Sequence, residues 1–97
     1  MHNVALLAIL EAKAGKEKEL ADFLKSALPL AIQEPATVSW FSFRIDSSRF
    51  GIFDTFADES GRTAHLNGEI AKALFARAEE LLASPPQIER PEILAAK

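Results

Sequence analysis

The sequence predicts a two-layer α+β domain in which an antiparallel sheet carries helices on one face. Three observations lead there. Val4 to Ala12 is an apolar run broken only by Glu11, as a central strand would be; two later segments repeat their apolar residues at helical spacing; and between them lie two β-rich stretches separated by Asp46-Ser47-Ser48-Arg49. The order is β-α-β-β-α-β. Ninety-seven residues leave room for one hydrophobic core, so residues 1–97 are read as a single domain.

The first strand is expected to end near Lys13, with Gly15 punctuating before the helical period begins. From Lys16, the residues Leu20, Phe23, Leu24, Ala27 and Leu28 form the stripe of an amphipathic helix. Pro29 should end or kink it, and Pro35 marks the loop into the second strand. Asp58 is placed to cap a helix starting at Glu59, and Gly68 interrupts before Ile70, Leu74, Ala78, Leu81 and Leu82 resume the stripe. Ser84-Pro85-Pro86 stops that helix, and Pro91 confines the tail from Gln87 to an edge position, because proline cannot donate to an interior ladder. This is the ferredoxin-like split βαβ pattern.

The central hairpin defines two faces. With Ser47 and Ser48 at the tip, Ile45 faces Phe50, Phe43 faces Ile52 and Phe41 faces Asp54. One face then carries Phe41, Phe43, Ile45, Phe50, Ile52, Asp54 and Phe56; the other carries Val38, Trp40, Ser42, Arg44, Gly51, Phe53 and Thr55. Helices cover only one side of such a sheet. The apolar residues on the other side, Trp40, Phe53 and Val38 among them, predict a homodimer that buries this face.

Composition excludes several classes. Hydrophobic residues make up 48% of the chain and charged residues 26%, which fits a water-soluble globular protein, and the absence of cysteine excludes a disulfide scaffold. Eleven basic and 14 acidic residues are scattered without a basic stripe, so nucleic acid is not an expected partner. The apolar N-terminal run is far shorter than the roughly 20 residues that span a bilayer and has no basic flank, so neither membrane insertion nor a signal peptide is expected. The expected location is the cytoplasm. His2 and Asn3 read as end effects. Two histidines far apart and no cysteine give no usual metal-ligand set.

Glu34-Pro35-Ala36-Thr37, Trp40, the stretch Phe50 to Glu59, Gly61-Arg62-Thr63-Ala64-His65-Leu66-Asn67-Gly68 and the closing Pro91 to Lys97 together resemble the antibiotic biosynthesis monooxygenase family. The resemblance spans nearly the whole chain. It implies a dimeric α+β barrel and, as the leading activity, a cofactor-independent monooxygenase acting on a quinol or polycyclic phenol in a pocket between sheet and helices. In such chemistry a deprotonated phenol supplies the electrons to dioxygen, and the protein provides a base, a dry pocket and orientation. A non-catalytic ligand-binding or dimerisation module of the same fold is the alternative. Haem-degrading relatives are a minor one, because where they place a ligating histidine this chain has Lys72 to Ala76. No cofactor is expected.

His65 is the first choice for a general base, since an imidazole titrates near neutrality. The structural alternative is a helix histidine bonded to a carbonyl or a carboxylate. Asp54 falls on an otherwise apolar face and needs a partner there; His65 could be that partner, as could the backbone at the start of the second helical segment. Trp40, Phe41, Phe43, Phe56 and Phe75 are candidates to stack on an aromatic substrate, and Arg62 could hold phenolate charge.

Overall fold

The computed structural model describes residues 3–97, so His2 lies outside the described residues. The chain runs β1 (Val4–Glu11), α1 (Glu17–Ser26), α2 (Leu28–Ile32), β2 (Thr37–Arg44), β3 (Arg49–Phe56), α3 (Glu59–Leu66), α4 (Glu69–Leu81) and β4 (Gln87–Glu89). The strands form one antiparallel sheet in the order β2-β3-β1-β4, which places the apolar β1 centrally and the tail at an edge, as expected. Each predicted helical segment divides in two. Pro29 sits in the first turn of α2, where a missing N–H does no harm, and Gly68 caps α4 with extended backbone. Asp58 caps α3 by accepting a hydrogen bond from the Gly61 N–H at 3.2 Å.

The helices pack on the side of the sheet that carries Leu6, Ala8 and Leu10 of β1 and Phe50, Ile52, Asp54 and Phe56 of β3. Leu20, Leu24, Ile70, Leu74 and Leu81 close that core from the helix side. Each large apolar side chain so buried contributes about 1.5–3 kcal/mol. These side chains form the core between sheet and helices.

The hairpin register differs from the expected one by a single residue. Arg44 pairs with Phe50, Phe43 with Gly51, Phe41 with Phe53 and Trp40 with Asp54. The cause is Asp46, whose carboxylate accepts from the Ser48 and Arg49 N–H groups at 3.1 and 2.9 Å and pairs with Arg49 Nε at 2.9 Å. Its hold, with the Ile45 N–H donating to the Arg49 carbonyl, makes the turn one residue longer at the tip and slides β2 along β3. Side chains alternate along a strand, so this slip turns over the β2 side chains from Ser39 to Arg44, while a bulge between Thr37 and Ser39 leaves Thr37 paired with Phe56. Trp40, Ser42 and Arg44 therefore face the helices, and Arg44 lies 4.6 Å over the Phe50 ring. Phe41 and Phe43 face the uncovered side with Phe53, Leu7 and Ile9. Gly51 has a packing role there, because a Cβ at that position would stand 2.4 Å from Phe43 Cζ.

The C-terminal tail is fastened along β1. Ala5 N–H donates to the Pro91 carbonyl and Ile93 N–H to the Asn3 carbonyl, each at 3.0 Å. Arg62 reinforces that edge by donating from Nη1 to the carbonyls of Ala5 and Pro91, at 3.1 and 3.2 Å, while Nη2 pairs with Glu59 at 2.5 Å. Among the described residues, no helix is long and apolar enough to cross a membrane.

Candidate functional site

α3 turns His65 inward, where it is 8% exposed and its ring lies 5.4 Å from that of Phe56. Both ring nitrogens meet carboxylates. Nδ1 is 2.8 Å from Glu34 Oε1, and Nε2 is 2.8 Å from Asp54 Oδ2. Asp54 is 1% exposed on β3, and Glu34 comes from the loop before β2 with its side chain 20% exposed. The Glu34 contact is a directed hydrogen bond, joined at Oε1 by the Thr37 hydroxyl at 2.7 Å. The Asp54 contact is an ion pair off the hydrogen-bond line, so neither Asp54 oxygen accepts a well-directed hydrogen bond from a described residue.

Three local features bring these groups together. Gly61 lets α3 pass close to the loop, since a Cβ there would lie 3.1 Å from the Ala36 carbonyl oxygen. Gly68 does the same for Glu34, with a Cβ position 3.2 Å from Oε2. Asp54 faces the helices because β3 keeps the expected alternation.

Burial alone would lower the His65 pKa, because it disfavours the charged ring; the 2.8 Å contact with the charge of Asp54, and then the hydrogen bond and charge of Glu34, outweigh it and leave the value above the ordinary 6.5. An imidazolium satisfies the arrangement best, since it offers an N–H to each carboxylate. The two carboxylates address opposite ring nitrogens and do not converge on a common point. Among the described residues, no group of three or more histidine, cysteine or acidic side chains is arranged to hold a metal ion.

A cleft of about 350 Å³ opens beside the imidazole, lined by His65, Glu34, Thr37, Leu30 and Glu69 among others. Of the sequence candidates, the structure joins His65 to Asp54 and leaves the rest elsewhere. Phe41 and Phe43 were turned to the open face by the register slip, and Phe75 lies 53% exposed on α4 beside a different groove. Phe56 is fully buried beneath His65, and Trp40 packs toward Ala27, Ala31 and Ile70, with its indole N–H unpartnered among the described residues. Arg62 is spent on Glu59 and two carbonyls. None of these six lines the cleft at His65. Sequence reasoning missed Glu34 as a site residue; its one local signal is Thr37 three positions on, and its partner is 31 residues away.

No protein-family model matches the chain, and no curated protein matches it. Solved structures do. An antibiotic biosynthesis monooxygenase, provisionally so named, from Nitrosomonas europaea superposes with a TM-score of 0.84 at 15% identity, over 96% of this chain and 91% of that one. Another, from Chloroflexus aurantiacus, gives 0.76 at 15% identity over 98% and 96%. The sheet order, the helix placement and these superpositions define an antibiotic biosynthesis monooxygenase-like fold. A protein of unknown function from Nitrosomonas europaea is 60% identical over all of this chain and 94% of its own, with a TM-score of 0.98. The chain belongs to the same family as that protein.

The raised His65 pKa fixes how stability depends on pH. The folded value lies above that of the unfolded chain, so the stabilisation is complete below about pH 6.5 and is lost as pH rises through the folded value. Urea midpoints followed across that range should fall with rising pH in the wild type relative to His65→Gln, with the gap largest on the acid side.

Proposed function

We propose that the chain is a cofactor-independent monooxygenase acting on a quinol or polycyclic phenol, and that it works as a homodimer. The observation that carries the activity is the imidazole held between two carboxylates at the wall of a cleft, in a fold shared with proteins provisionally named as monooxygenases. The substrate supplies the electrons and dioxygen is the oxidant, one oxygen atom ending in the product and the other in water. What the protein must do is take a proton from the substrate and keep the resulting anion oriented and dry.

With both ring nitrogens engaged, His65 works as part of a unit. Glu34 presents the unit to the cleft, His65 carries positive charge beside it, and buried Asp54 holds the ring in place. Oxygen uptake by the purified protein over a panel of quinols and hydroxyanthracenes, without added flavin, metal or haem, tests this reading. A His65→Ala variant is expected to consume oxygen about a hundredfold more slowly on the best substrate. Uptake no faster in the wild type than in the variant would refute the enzyme and leave a ligand-binding domain.

The homodimer is supported by the uncovered sheet face, where Phe41 is 58% and Phe43 37% exposed next to Phe53, Leu7 and Ile9. A second copy placed face to face would withdraw this aromatic patch from water. Sedimentation equilibrium at micromolar concentration should give the mass of two chains, and Phe41→Asp should shift it toward one. A wild-type monomer would contradict the proposal.

A further inference from the structure

We infer that the cleft beside His65 selects a hydroxyl-bearing ligand that is uncharged or cationic, accepts its O–H at Glu34 Oε2, and turns away carboxylated analogues. This rests on the proposed reading of that cleft as the ligand site and specifies the substrate class.

The hydrogen-bonding inventory points to Oε2. Glu34 Oε1 already receives two donors, His65 Nδ1–H and the Thr37 hydroxyl. Oε2 receives none from the described residues, while the side chain stays partly exposed on the cleft. Gly68 keeps the space beside this oxygen open, because any larger residue would place a Cβ 3.2 Å from it. A carboxylate oxygen of this kind needs a donor, and an imidazolium pinned at both nitrogens cannot turn to supply one. The ligand's own O–H can. If that bond breaks, its electron pair stays on the ligand oxygen and the proton moves to Oε2, with both bonds to Oε1 kept.

The charges around the cleft set the ligand's sign. Glu34 and Glu69 line it, and no lysine or arginine does. Behind the imidazole stands Asp54, so a positive His65 is outnumbered by the carboxylates around it. Arg62, on the preceding turn of α3, is turned away onto Glu59, Ala5 and Pro91. The start of α4 offers an anion little, because the Gly68 N–H donates to the His65 carbonyl and Glu69 occupies the first turn. A carboxylate entering here would lose water without gaining a cation.

Binding of four naphthalenes, followed by their own fluorescence, tests the inference on the intact protein: 2-naphthol, 2-methoxynaphthalene, 6-hydroxy-2-naphthoate and 6-(aminomethyl)-2-naphthol. The naphthol and its ammonium analogue should bind, with the methyl ether and the carboxylate each about tenfold weaker or more. Glu34→Gln should abolish the preference for the free hydroxyl, and exposed Glu69→Gln should recover part of the lost affinity for the carboxylate. Equal binding of the methyl ether would overturn the role of Oε2, and equal or tighter binding of the carboxylate would overturn the charge selection; either leaves the cleft as a ligand site. Binding of none of the four by a protein with native circular dichroism would overturn the ligand-site reading and this inference with it.

Discussion

An imidazole buried between two carboxylates is an electrostatic commitment that the surrounding fold has to maintain. A histidine 8% exposed loses most of its hydration, and only opposite charge at both nitrogens keeps the cation favourable there. The two acids come from different parts of the chain. Asp54 stands in the middle of the sheet on β3, Glu34 in the loop that leads into β2, and His65 on the helix that follows β3. Removing either acid would leave a buried charge only partly compensated, which is why the loop, the sheet and α3 have to meet at one place.

Small residues make that meeting possible. Gly61 and Gly68 allow the backbone of α3 and the start of α4 to come against the loop containing Glu34, and the Asp58 cap sets where α3 begins. Thr37 then fixes the rotation of the Glu34 carboxylate, leaving one oxygen committed to His65 and the other toward the cleft. The same stretch of sequence thus serves as helix start, packing surface and site wall. On the opposite side of the sheet the aromatic side chains of β2 take no part in this arrangement, and their chemistry is that of a surface that water covers poorly.

Much of the architecture was legible in the residues. Helical spacing, the apolar run of β1, the proline and glycine breaks and the Asp58 cap each reported a local preference that packing did not override. Asp54 was legible as a residue that needs a partner, because a carboxylate on an apolar strand face demands one, and of the two candidates, His65 and the helix backbone, the structure places His65 against it. The face of β2 was not legible, because it depends on how many residues the turn around Asp46 takes up, and a slip of one there reverses the side chains of the strand before it from Ser39 to Arg44. Phe41 and Phe43 left the helix side of the sheet for that reason. Glu34 was hidden for another: apart from Thr37 three positions on, nothing local marks a loop glutamate as the partner of a histidine 31 residues further on.

The charge state of His65 is the most direct test of this account. Side-chain nitrogen NMR of the uniformly labelled protein, titrated from acid to alkaline pH, reports whether each ring nitrogen carries a proton. Both nitrogens should stay protonated up to a midpoint above 6.5, with neither exchanging freely with solvent. A single neutral tautomer already dominant below that pH would contradict it.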